Sequence, residues 1–239
     1  MHILVIDGNH VEEEFRQKFG PGHEYSFFSN ASGLVSVRKR KHLEEEGEAA
    51  IAIADAVFNF YPHSTPEFAE KRRNGVPLFE EASLTGPFYD YRTRTFVHDA
   101  NLFGFCGLPT LLNRPLLEVS LYDEADREKL AETCAALGTD YRVVADRVGL
   151  VTPRVVCMII NEACYTVQEG TATMQDVDLG MKLGTNYPRG PFAWANAIGV
   201  ERVYDVLEAL WNDTHDERYK VCPLLKRQAL RGQPFPTTD

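Results

Sequence analysis

Two histidines stand where a sheet of parallel strands would place reactive groups. His63 follows the run Ala56-Val57-Phe58-Asn59-Phe60, and His98 ends Thr95-Phe96-Val97. Imidazole changes charge near neutral pH, so a histidine at the carboxyl end of a strand can serve as a general base. The same side chain also serves as a structural or surface residue, and both readings stay open. A second candidate is the turn Asp7-Gly8-Asn9 after the apolar run Ile3-Leu4-Val5-Ile6, where the amides of Gly8 and Asn9 can meet a phosphate. The five cysteines (Cys106, Cys134, Cys157, Cys164 and Cys222) are odd in number and lack CxxC spacing. That points to free thiols in a reducing compartment and to no metal site.

These groups need elements to hold them. The 239 residues suit one large domain or two modest ones, and 44% are hydrophobic, enough for a sizeable core. The net charge of −10 opposes general nucleic-acid binding. The one basic cluster, Arg38-Lys39-Arg40-Lys41, leads into Glu44-Glu45-Glu46 and reads as a solvated, charge-laced helix. The run MHILVID is too short for a secretory leader, and no segment has the length of a membrane span. The expectation is a cytoplasmic protein without a membrane partner.

Short apolar runs at 3–6, 24–28, 56–60, 76–80, 95–98 and 141–145 read as strands. Helices are predicted over Val11–Phe19, from Ser64 or Thr65 to Gly75, and over Asp123–Leu137 with Gly138 closing it. This β-turn-α-β opening is that of a dinucleotide-type fold. The GxGxxG pattern of such folds needs glycine for a tight turn and close backbone approach to a pyrophosphate. Here Asp7, Asn9 and Glu12 stand at the three glycine positions. Glu12, Glu13 and Glu14 complement the helix dipole themselves and repel a pyrophosphate. Gly8 and Asn9 remain as weak cofactor contacts.

From Gly149 to Arg231 the spacing is helical throughout. Thr152 is the expected N-cap of a first helix, with Pro153 at its first position. Thr173-Met174-Gln175-Asp176 opens a second as a capping box, with Val177, Met181 and Leu183 expected to face inward. Phe192–Ile198 and Val203–Trp211 follow, the latter with Val203, Val206, Leu207 and Leu210 inside. The fold class is α/β: a Rossmann-like domain over residues 1–146, followed by an all-α domain over 147–239. The boundary falls in Asp146-Arg147-Val148-Gly149.

The helical region carries a specific pattern. Its elements are Asn161-Glu162-Ala163, Glu169-Gly170-Thr171-Ala172, Asp176-Val177-Asp178, Met181-Lys182-Leu183-Gly184, Pro188-Arg189-Gly190-Pro191-Phe192 and Pro223-Leu224-Leu225. Together they resemble the C-terminal domain of the 3-hydroxyacyl-CoA dehydrogenases. The resemblance implies NAD as cofactor, an acyl-CoA-type ligand, oxidation of its 3-hydroxyl to a ketone by hydride transfer, and a homodimer formed through the helical domain. It also implies a histidine base, a glutamate that orients it, and two assisting asparagines.

Glu118, in Leu116-Leu117-Glu118-Val119, matches the glutamate, and Asn113 matches the first asparagine. With a gap between them, the histidine position falls on Thr110, or on Pro109 if the gap moves. The second asparagine falls on Pro153. Neither Thr110 nor Pro109 is a base near neutral pH. His98 and His63 are the candidates for a displaced base. Two functions therefore stand. One is a 3-hydroxyacyl-CoA dehydrogenase-like protein with weak or altered NAD-dependent oxidation. The other is a non-catalytic relative that binds an acyl-CoA or a protein partner.

Overall fold

The computed structural model of the chain describes residues 1–29, 37–60, 72–83 and 101–237, with backbone alone at 37–44. His63, His98 and the expected strand at 95–98 lie outside the described residues, as does most of the expected helix after Ser64. The chain divides into two compact units. One takes in Met1–Ala82 and Leu112–Asp146 with the strand ending at Phe105; the other takes in Arg147–Asp239 with Leu108–Leu111.

The first unit is built on one seven-stranded sheet. Its strands are β1 (His2–Ile6), β2 (Glu24–Phe28), β3 (Ala56–Asn59), β4 (Leu78–Glu81), β5 (Leu102–Phe105), β6 (Leu116–Leu121) and β7 (Asp140–Val143). The order is β2-β1-β3-β4-β5-β6-β7, and every neighbouring pair is parallel except β5 with β6. Strands β3, β4 and β5 are buried at every position, so they show no apolar–polar alternation between faces; Asn59, Glu80 and Glu81 are buried with their apolar neighbours. The direction of winding switches between β1 and β3, and a crevice opens outside the carboxyl ends of strands at such a point.

Strand alternation sorts the side chains between two faces. Ile3, Val5, Phe58, Phe79, Phe103, Phe105 and Val119 share one core with helices α1 (Glu12–Phe19) and α3 (Arg127–Leu137). Phe58 lies flat against Phe79, centroids 4.5 Å apart, and edge-on to Phe105 at 5.2 Å. Leu4, Ile6, Val57, Leu78 and Leu102 share the other core with Ile51 of helix α2 (Val37–Ile53). Gly138 ends α3 in the left-handed conformation, φ 71° and ψ 29°.

The second unit packs α4 (Thr152–Gln168), α5 (Met174–Thr185), α6 (Pro191–Ile198), α7 (Val200–Thr214) and α8 (Pro223–Leu230). Val156, Ile160, Phe192, Ile198, Val203, Leu207 and Leu225 fill its centre. The capping box forms as expected: the Thr173 hydroxyl accepts from the Asp176 amide, and the Asp176 carboxylate accepts from the Thr173 amide. Two expectations are corrected. Thr152 is not the N-cap; Gly149 (φ 75°) and Leu150 (φ 41°) turn the chain so that Val151 caps the helix one residue earlier. Leu183 does not face inward: it is 78% exposed and α5 has no buried residue. The Asp178 carboxylate of that helix accepts from the amides of Phe192 (2.7 Å) and Ala193 (3.0 Å).

Candidate functional site

The carboxyl edge of the sheet gathers the candidate groups of the first unit. Glu118 is buried in the middle of β6. β5 and β6 run antiparallel with Phe105 opposite Val119, and the Cys106 amide donates to the Glu118 carbonyl at 3.4 Å. The residue that meets Glu118 across the ladder is therefore Cys106, itself buried. Residues directly opposed in such a ladder hold their Cβ atoms about 4.5–5.5 Å apart. A gap before Glu118 hides this partnership in the sequence; counting back along two ungapped antiparallel strands reveals it. A thiol ordinarily titrates about two units above imidazole, so cysteine is a poorer base at neutral pH.

Asn113 is exposed and engaged with α1. Its amide donates to Glu14 Oε1 at 2.9 Å, and its Nδ2 donates to Gln17 Oε1 at 3.2 Å. The Leu112 amide donates to the same Glu14 oxygen at 3.1 Å. One of the three carboxylates that open α1 thus pins the chain ahead of β6, a role its place in an acidic run does not announce. Thr110 belongs to the second unit. It sits at φ 67°, and its hydroxyl accepts from Trp194 Nε1 at 2.9 Å.

The first turn was the expected cofactor contact. Asp7 adopts φ 56°, the left-handed region where glycine is usual and where aspartate is among the tolerated residues. Its amide donates to the Phe28 carbonyl at 2.8 Å, and the Val11 amide turns back to the Gly8 carbonyl at 3.0 Å. Gly8 is needed, but for packing. A Cβ there would come within 2.4 Å of Val5 Cγ1 and 2.8 Å of the Phe60 ring. Gly107, after β5, faces the same ring: its Cβ would stand 2.7 Å from Phe60 and 2.8 Å from Glu81 Cγ. The end of β2, Tyr25 to Ser29, offers no carboxylate for a ribose. Among the described residues, those at the switch point do not fit NAD in the ordinary dinucleotide position.

A row of polar positions crosses the other face of the sheet. Asn59 pairs with Glu80, Glu80 with Gly104 and Gly104 with Ser120, and the three polar side chains are buried. Ser120 Oγ donates to Asp146 at 3.0 Å. Asparagine and glutamate inside otherwise apolar strands were the signal for this row. Among the described residues, no cluster of His, Cys, Asp and Glu could hold a metal. A cavity of about 510 Å³ opens at the amino edge beside Asp55, Arg73, Lys129 and Glu132. Arg73 there is paired to Asp55 at 3.3 Å and Lys129 to Glu132 at 3.7 Å. It lies at the opposite end of the strands from the candidate groups.

In the second unit the pattern residues have visible structural work. Buried Asn161 donates from Nδ2 to the Lys220 carbonyl (2.9 Å) and accepts at Oδ1 from the Cys222 amide (2.8 Å). Gln168 Oε1 accepts from Leu224 at 3.0 Å, so α4 holds the start of α8. Gly190 is a spatial necessity, because a Cβ would come within 2.5 Å of Asp178 Cα.

The family description "3-hydroxyacyl-CoA dehydrogenase, C-terminal domain" matches residues 149–234. A 3-hydroxyadipyl-CoA dehydrogenase of Escherichia coli K12 is 46% identical over 87 residues, 36% of this chain and 18% of the relative. A 3-hydroxybutyryl-CoA dehydrogenase of Bradyrhizobium diazoefficiens is 34% identical over 134 residues, 54% of this chain and 46% of the relative. The match thus spans less than half the length of these relatives. Among solved structures, M. tuberculosis FadB2 superposes with TM-score 0.76 at 18% identity, over 99% of this chain and 98% of that one. The (S)-3-hydroxybutyryl-CoA dehydrogenase PaaH1 of Ralstonia eutropha gives 0.71 at 18% identity, over 97% and 94%. These two likenesses speak for the fold: a Rossmann-type sheet domain followed by an all-α domain. Motif and sequence agree that residues 149–234 match the 3-hydroxyacyl-CoA dehydrogenase C-terminal domain, and the fold of the chain is similar to that of these two structures.

Proposed function

We propose that this is a 3-hydroxyacyl-CoA dehydrogenase-like protein whose ligand is a 3-hydroxyacyl-CoA or a related hydroxy compound, and in which NAD-dependent oxidation is weak or altered. The observation that carries this reading is the partner of Glu118. A glutamate suited to orient an imidazole has Cys106 across the ladder. Loss of a general base costs about 10²–10⁴ in rate. Acetoacetyl-CoA reduction by NADH, measured beside the Ralstonia enzyme, is expected to run slower by that factor or to be undetectable. Equal rates would overturn the reading. His98→Ala and His63→Ala then show whether either histidine supplies the proton transfer that remains.

A second reading is a non-catalytic relative that binds an acyl-CoA or a protein partner. The packing of the first turn against Phe60 favours it. Acetoacetyl-CoA binding by calorimetry, without turnover, is its expected signature. Homodimerisation through the helical domain fits the exposure of Val151, Val155, Leu179, Leu183 and Leu230 on that unit. Among the described residues no helix is long and apolar enough to cross a membrane.

A further inference from the structure

We infer that Phe60 is a built-in occupant of the dinucleotide crevice and the residue that excludes NAD from it. The ring belongs to the residue directly after β3, at the edge where the sheet switches direction. Its neighbours come from three other points of the same edge and from the helix below. Gly8 after β1 and Gly107 after β5 both approach it so closely that neither has room for a Cβ, which would stand 2.8 Å and 2.7 Å from ring carbons. His10, in the turn leading to α1, meets the ring edge-on at 5.7 Å, Phe105 does so at 5.2 Å, and Phe15 of α1 lies at 6.0 Å. Phe60 is 7% exposed.

A dinucleotide at a switch point lays its pyrophosphate against the first turn, where glycine lets backbone and phosphate come together. In this chain the glycine after β1 accommodates a hydrocarbon ring. The second glycine, beyond β5, does the same from the far side. Gly8 is thus explained without a phosphate, and the side on which its Cβ would stand is taken by carbon that offers no hydrogen bond to an oxyanion. The acidic start of α1 adds like charge beside the same turn.

The inference rests on the family reading of the scaffold, but its test does not depend on acyl-CoA binding. NADH fluorescence is titrated with the full-length wild type, Phe60→Ala and Phe60→Leu, each checked by near-UV circular dichroism. The expected result is no saturable binding by the wild type, and binding at least about tenfold tighter by Phe60→Ala, a difference of about 1.4 kcal/mol. Phe60→Leu, which keeps a shorter apolar filler, should gain less and serves alone if the alanine variant does not fold. Wild-type binding as tight as that of the variants overturns the inference. So does a folded variant that gains none. Acetoacetyl-CoA binding is followed separately by calorimetry, so its failure would count against the proposed ligand and leave the NADH comparison standing.

Discussion

In the helical unit, Asn161, Asp178 and Gly190 each make a contact that few other residue types could make. Asn161 clasps the chain ahead of α8, Asp178 holds the start of α6, and Gly190 lets α5 and α6 meet. At the carboxyl edge of the sheet unit, Asp7 stands at the first glycine position and Glu118 has Cys106 opposite it. The difference is one of what each contact is for. The pattern residues in the helical unit build architecture, so the architecture keeps them. The edge of the sheet keeps its shape through packing, which many side chains can satisfy, and aromatic rings now occupy it.

The contrast predicts that Phe60 behaves as core. Phe60→Ala should lower stability by about 3–5 kcal/mol in urea unfolding. A loss below about 1 kcal/mol would make the ring a removable lining, and the two units would no longer differ in this way. The neighbouring glycine sharpens the point. Gly107→Ala alone should cost about 1–3 kcal/mol, because its Cβ meets the ring. In the Phe60→Ala background that cost should shrink, giving a coupling of about 0.5–3 kcal/mol for residues in contact.

The helical unit offers the next effect. Gly190→Ala should cost about 1–3 kcal/mol, since the Cβ would come within 2.5 Å of backbone at Asp178 and the two helices must part. The measure is the unfolding midpoint at unchanged slope. A neutral substitution would mean that α5, with Leu179 and Leu183 exposed, shifts freely, and that the pattern there is not architectural.

Much of this was legible in the residues. Buried parallel strands write themselves as apolar runs, and Gly138 or Thr173 mark helix ends because few residues do those jobs. Leu183 was misread because apolar periodicity does not say which helix face meets a neighbour. Thr152 was misread because positive φ at Leu150 is a turn that no residue type announces. The site was less legible still. Cys106 and Glu118 are neighbours through strand register, and Glu14 reaches Leu112 and Asn113 across nearly a hundred residues. The partners of Phe60 sit on β1, β5 and α1, so its role is written in three distant places at once.

The smallest expected effect compares the two interiors directly. Burial pushes the Cys134 thiol in the sheet unit up to about 12, only partly offset by Lys18, and burial with nearby Cys222 pushes Cys164 in the helical unit the same way. A thiol ionises less readily folded than unfolded, so above the ordinary value of 9.0 the unfolded chain sheds protons that the folded chain keeps. Stability is then full below pH 9 and falls as pH rises towards 12, by about 1.4 kcal/mol per unit for each such thiol. Urea unfolding at pH 8 and pH 10 should show this loss in the wild type. Cys134→Ala and Cys164→Ala should each remove about 1.4 kcal/mol of it. Equal effects would mean that both cores exclude water alike, so that the units differ at the ligand edge and not in the quality of their packing. A Cys134→Ala variant that leaves the pH dependence untouched would instead show α3 opening in the folded state, and the sheet unit would be the looser of the two.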